Sequence, residues 1–204
     1  MMRFDAYTEG HDAFVFELDN VLYPEKDFLL QVYYLFSQFM EYSEQLDATA
    51  LLKYMQETYA ASGPEELFEK TASQFQIDEK YKLNFDLLQR NVRLPLKLLL
   101  FEPCSQFLKE IVASAKPVFL LVSGNPEAQL NKIKQVDWQG LEQYLTVYFA
   151  EELNDEKGDG ALAYLLEKHE LAGKKILMIS ETASGKDLPQ AELKYLPVDK
   201  LFLH

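Results

Sequence analysis

The stretch Ala13-Phe14-Val15-Phe16-Glu17-Leu18-Asp19-Asn20-Val21-Leu22-Tyr23 decides how this chain is read. Ala13 to Leu18 is rich in β-formers and aromatics and carries one charge, Glu17. It predicts a buried strand that ends near Asp19-Asn20. Glu17 and Asp19 are two residues apart, so on a strand their side chains project from the same face. At the carboxyl edge of a sheet both can face a ligand. Taken alone, Glu-x-Asp is a common pair, and a solvated strand end is its simpler reading.

Further strands are expected downstream. They are Pro117 to Val122, Leu145 to Ala150, Lys175 to Ile179 and, more weakly, Lys200 to Leu203. Helical patterns separate them at Ser105 to Ser114, Pro126 to Lys134 and Gly160 to Glu170. Strands alternating with helices predict an α/β protein built on a doubly wound parallel sheet. In such sheets ligands bind beyond the carboxyl ends of the strands.

The stretch from Val21 to Leu96 breaks that rhythm. Phe28, Val32, Leu35, Phe36, Phe39 and Met40 recur at helical spacing, as do Leu51, Leu52, Met55 and Tyr59. Ser62-Gly63-Pro64 signals a turn before a helix start at Glu65-Glu66. Phe75, Tyr81, Phe85, Leu87 and Leu88 carry the last helices. These features predict an all-helical module inserted after the first strand, its aromatic stripes forming core. The expected division is 1–20 and 97–204 for the α/β core, with 21–96 as the helical insert.

Composition narrows the function. The chain has 204 residues, with 33 acidic against 20 basic side chains and a formal net charge of −13. That balance argues against nucleic-acid and anionic-membrane partners. No apolar run approaches a membrane span of roughly 20 residues, and the charged N-terminal stretch does not read as a secretory signal. The single cysteine, Cys104, excludes an intrachain disulfide and points to a reducing, cytoplasmic setting. His11, His169 and His204 form no motif with it, so Cys104 reads as a buried, inert thiol.

Phe16-Glu17-Leu18-Asp19-Asn20-Val21-Leu22-Tyr23 resembles the first motif of the haloacid dehalogenase (HAD) superfamily, Asp-x-Asp-x-Thr/Val. Other segments follow in the family's order. Val118 to Ile133, containing Ser123-Gly124-Asn125-Pro126, resembles the second motif and its helix. Tyr148 through Lys157 resembles the third, and Lys175 to Asp187 the fourth. The inserted helices resemble the family's helical cap. The resemblance spans nearly the whole chain and implies a HAD-like Rossmannoid core.

It also implies phosphatase chemistry on a small phosphomonoester. In the family the first Asp attacks phosphorus, the second acts as general acid and base, and Mg²⁺ bridges carboxylates and phosphoryl group. Carried over, Glu17 stands at the nucleophile position, Asp19 at the acid/base, Ser123 at a phosphate contact and Lys157 at the charge neutraliser. Glu17, Asp19 and Glu181 stand at metal-ligand positions.

Several of these positions depart from the family pattern. Glu17 replaces Asp and is longer by one methylene, about 1.5 Å. Misplacing a reacting group by about 1 Å costs a factor on the order of 100. An ungapped match puts Val122 at the second motif's hydroxyl position, whereas a one-residue gap puts Ser123 there. The ungapped match is preferred because the following helix then needs no adjustment. The fourth motif reads Ser180-Glu181 in place of Gly-Asp, with Gly185 and Lys186 where a further Asp is usual. Asp187 is one residue out of register, and Gly158 replaces a common Pro. Three functions follow: an altered phosphatase, a catalytically silent HAD-like protein that binds a phosphorylated ligand or a protein partner, or a hydrolase that uses water directly, with Glu17 and Asp19 only holding metal.

Overall fold

The computed structural model describes residues 4–153, 160–182 and 191–203. After helix α1 (Asp5–Gly10) comes strand β1 (Ala13–Phe16). Four helices follow, α2 (Glu25–Glu44), α3 (Ala48–Ser62), α4 (Leu67–Phe75) and α5 (Lys82–Asn91). The chain continues through β2 (Leu98–Leu99), α6 (Glu102–Ala113), β3 (Val118–Val122), α7 (Pro126–Gln135) and β4 (Val136–Asp137). It ends with β5 (Leu145–Phe149), α8 (Ala150–Leu153), α9 (Gly160–Lys168), β6 (Lys175–Ser180) and β7 (Glu192–Pro197).

The main sheet is parallel with strand order β5-β3-β1-β6-β7. β1 is its centre, and Phe16 is level with Leu120 on one side and Ile179 on the other. All four β1 residues are buried, as a strand covered on both faces requires. Its alternation feeds two cores. Phe14 and Phe16 join Leu120, Val122, Leu177, Ile179 and the α6 residues Phe107, Leu108 and Ile111. Ala13 and Val15 join Phe119, Leu121, Ile176, Met178 and the α9 residues Leu165 and Leu166. Helices therefore cover both faces, as the alternating pattern predicts. β2 and β4 form a separate short parallel pair.

The helices between β1 and β2 are not a detached layer. Phe28, Val32 and Phe36 of α2, Phe68 of α4 and Phe85 of α5 belong to the same apolar cluster as the sheet. Phe36 lies 5.1 Å from Phe85 and 5.9 Å from Phe68, edge to face in both cases. The aromatic stripes are core.

One strand expectation is corrected. Val198–Leu203, which contains the apolar Lys200 to Leu203 run, is a 3₁₀ turn. It buries Val198 and Leu201, three residues apart, and leaves Leu203 exposed. The edge strand is instead β7, where Leu193 and Tyr195 pack on one face and Leu196 on the other. Among the described residues no helix is long and apolar enough to cross a membrane.

Candidate active site

β1 ends where its ladder ends. Glu17 N–H still donates to Ile179 O at 3.1 Å, and the chain then turns sharply. Leu22 N–H donates to Leu18 O at 2.9 Å, and Asn20 N–H to Tyr23 O at 2.9 Å. Asn20 takes a left-handed φ of 60°, a conformation Asn tolerates better than most residues. Its Oδ1 accepts from Glu25 N–H at 3.1 Å, tying the turn to the start of α2.

The turn buries Leu18 in the core and directs Glu17 and Asp19 to the carboxyl edge of the sheet. There Glu17, Leu18, Asp19, Leu121, Val122 and Ser123 line a cavity of about 210 Å³. Three of the expected site residues, Glu17, Asp19 and Ser123, thus meet in one place, at the position ligands favour in such sheets. Val122 is buried as the last residue of β3, and Ser123 is exposed just beyond it. Ser123 supplies the one hydroxyl among those lining residues.

Asp19 is fully engaged. Its Oδ1 accepts from the Tyr23 hydroxyl. Its Oδ2 accepts from Gln129 Nε2 at 3.0 Å and from Lys132 Nζ at 2.7 Å. Tyr23 is buried, and that burial, reinforced by the Asp19 charge, holds its pKa well above the usual phenol value. It stays a hydrogen-bond donor. Lys132 also pairs with Glu25 Oε1 at 3.3 Å, and its side chain is 8% exposed. Its ammonium lies 5.0 Å from the centre of the Phe28 ring, a favourable cation–π distance.

The other acids hold main-chain amides. Glu17 Oε2 accepts from Glu181 N–H at 3.1 Å, so the nucleophile position reaches across to the end of β6. Glu151 Oε1 accepts from Gly124 N–H, at the start of the β3–α7 turn. Gly124 has φ +99°, and a Cβ there would come within 3.1 Å of Gln129 Nε2. Gln129 in turn donates to Ser123 O at 2.8 Å, bracing the turn against Asp19. Lys157 and Asp187 lie outside the described residues.

Asp19, as placed, does not fit as a side-chain ligand of the magnesium ion that the resemblance implies. Mg²⁺ takes oxygen ligands at about 2.0–2.1 Å in near-octahedral array, most of them waters, with one or two protein carboxylates. Among the described residues no group of three or more His, Cys, Asp or Glu is arranged to hold a metal. Both Asp19 oxygens carry donors, one of them a cation.

Sequence reasoning did not single out Lys132, Gln129 or Glu151. The only available signal was the three-residue spacing of Gln129 and Lys132, which places them on one helix face. Pattern reading instead favours Leu130 as the inward residue, yet Leu130 is 41% exposed while Gln129 and Lys132 are buried.

The fold and edge cavity define a class, and comparison with solved structures gives it a name. No family model matches the sequence, and no curated protein does. A proposed beta-phosphoglucomutase from Thermotoga maritima superposes with a TM-score of 0.55 at 15% identity, covering 94% of this chain and 97% of that one. An L-2-haloacid dehalogenase superposes with a TM-score of 0.51 at 13% identity, covering 95% and 98%. The chain therefore has the haloacid dehalogenase fold over essentially its whole length. At such identities the likeness speaks for fold alone, because function resides in the site.

Proposed function

We propose that this chain is a HAD-like protein that binds a small phosphorylated molecule at its edge cavity without hydrolysing it. The observation that carries this reading is the Asp19 carboxylate, tied to Lys132 at 2.7 Å as well as to Gln129 and Tyr23. A general acid and base must exchange protons with the reacting group. One whose oxygens are all occupied, one of them by a buried cation, is poorly suited to that task. Glu17 adds a second obstacle, because its extra methylene shifts the nucleophile and one of its carboxylate oxygens accepts from Glu181 N–H. Ligand binding is supported by the exposed Ser123 hydroxyl, which lines the cavity; the neighbouring Gly124 N–H donates to Glu151 and would have to be released to reach a ligand. Weak binding is expected, since Glu17 adds negative charge to the cavity.

A second reading, a metal-dependent phosphatase of small phosphomonoesters, is favoured by one observation: Glu17, Asp19 and Ser123 share a single cavity. It requires Lys132 to leave Asp19. One experiment separates the two. Phosphate release is measured from a panel of phosphomonoesters with Mg²⁺, for the natural chain and Asp19→Asn, alongside the thermal shift each ester produces. Thermal shift without release supports binding alone. Release that Asp19→Asn abolishes supports the phosphatase. Neither shift nor release for a folded protein overturns the phosphorylated-ligand assignment.

A further inference from the structure

We infer that Lys132 is the resident counter-cation of the Asp19 carboxylate and keeps divalent cations from binding through that side chain. This rests on the proposed function only for treating Asp19 as the second acid of the site.

The argument is geometric. Lys132 is carried by α7, whose start is fixed by Pro126 and by the Asn125 side chain accepting from Ala128 N–H at 3.0 Å. From that helix the side chain reaches inward past Phe28, with its ammonium 5.0 Å from the ring centre. It ends between two carboxylates, Asp19 at 2.7 Å and Glu25 at 3.3 Å. Asp19 comes from the turn after β1, and Glu25 from the first turn of α2. One cation thus bridges the sheet edge and the first inserted helix, with its charge answered from both sides.

A divalent ion bound to Asp19 would have to share this space. A metal at ligand distance from Oδ2 lies within about 5 Å of Nζ, where two like charges repel strongly in a mostly buried setting. The remaining Asp19 oxygen accepts from the buried Tyr23 hydroxyl. Gln129 Nε2 further occupies the Oδ2 side at 3.0 Å. An ammonium tethered to the helix is always present, and it needs no hydrated ion to shed its water.

Mn²⁺ titration of the full chain, followed by the electron paramagnetic resonance signal of the free ion, tests this. The natural chain and Asp19→Asn are expected to give the same isotherm, reflecting only weak sites elsewhere on an acidic surface. Lys132→Met is expected to gain a site at least tenfold tighter, which adding Asp19→Asn removes. If Asp19→Asn takes a site away from the natural chain, the inference is overturned. If Lys132→Met binds no better than the natural chain, the lysine is not what keeps the metal out. Should Lys132→Met fail to fold, Lys132→Gln replaces it. Phosphate release without Asp19-dependent Mn²⁺ binding would sink the non-hydrolytic reading and leave this one standing. Mn²⁺ binding without release would do the reverse.

Discussion

Asp19 and Lys132 stand 113 residues apart in sequence and form an ion pair 2.7 Å long at the carboxyl edge of the sheet. The pair joins the turn after β1 to the helix after β3, and through Glu25 it also reaches α2. Removing one member of a buried pair costs about 3–5 kcal/mol because the other is left uncompensated. Asp19 is 19% exposed and keeps two further donors. Lys132→Met is therefore expected near the low end, about 3 kcal/mol. Asp19→Asn should cost less, because Lys132 retains Glu25. The double variant should cost clearly less than the two single losses combined, since contacting residues couple. Urea unfolding midpoints for the four proteins check this, and simple additivity would mean the pair contributes no specific interaction.

Cys104 is fully buried, and its thiol donates to Val21 O at 3.1 Å. Burial pushes its pKa up to about 12. The thiolate is the reactive form, so at neutral pH the native chain should not react with Ellman's reagent on the timescale of free cysteine. One thiol should appear on unfolding in guanidinium. Rapid reaction of the native protein would contradict the packing described.

The central strands were legible because burial on both faces leaves an unmistakable apolar run: Ala13–Phe16 and Val118–Val122 contain no charge. β7 was not, because Glu192 and Lys194 alternate with half-buried Leu193 and Tyr195 in a strand with one neighbour. The apolar Leu201-Phe202-Leu203 run drew the assignment to the wrong segment. That Glu17, Asp19 and Ser123 share one edge cavity could be read because strand ends fix where side chains meet. Lys132, Gln129 and Glu151 could not. The burial and pairing of Lys132 and Gln129 depend on which surface α7 turns toward the β1 turn, and hydrophobic periodicity carries no such information when Leu130 faces out; Glu151 is exposed and meets Gly124 N–H at the β3–α7 turn.

His169 follows α9, and its Nε2 lies 2.8 Å from the Tyr148 hydroxyl, with Phe119 4.5 Å away ring to ring. Burial, followed by the nearby Lys168 charge, lowers its pKa from the ordinary value. The folded chain thus binds this proton less readily than the unfolded chain. Stability is undiminished above the unfolded value of about 6.5 and falls as pH drops through the lowered folded value. His169→Gln should flatten that part of the stability curve. Urea midpoints compared between about pH 7.5 and pH 5.5 for both proteins measure the difference, and parallel curves would remove His169 as a contributor.

Phe107 is the packing centre beneath β1. Its ring is 4.9 Å from Phe4, 5.5 Å from Phe14, 5.9 Å from Phe16 and 5.9 Å from Tyr7, and it is fully buried. It therefore ties α1 and α6 to the central strand whose end positions Glu17 and Asp19. Phe107→Ala should cost about 3–5 kcal/mol, through lost transfer energy and the cavity left behind. For a chain of this size that is a fall in Tm of roughly 6–20 °C. Phe202 is 42% exposed and contacts the Phe101 ring at 5.0 Å, so Phe202→Ala should cost about 1 kcal/mol or less. Phe107→Leu keeps most of the volume and should fall between them. Thermal unfolding of the three variants orders them. A Phe107→Ala loss no larger than that of Phe202→Ala would mean that neighbouring rings close the gap, and that the turn carrying Asp19 does not depend on this aromatic cluster.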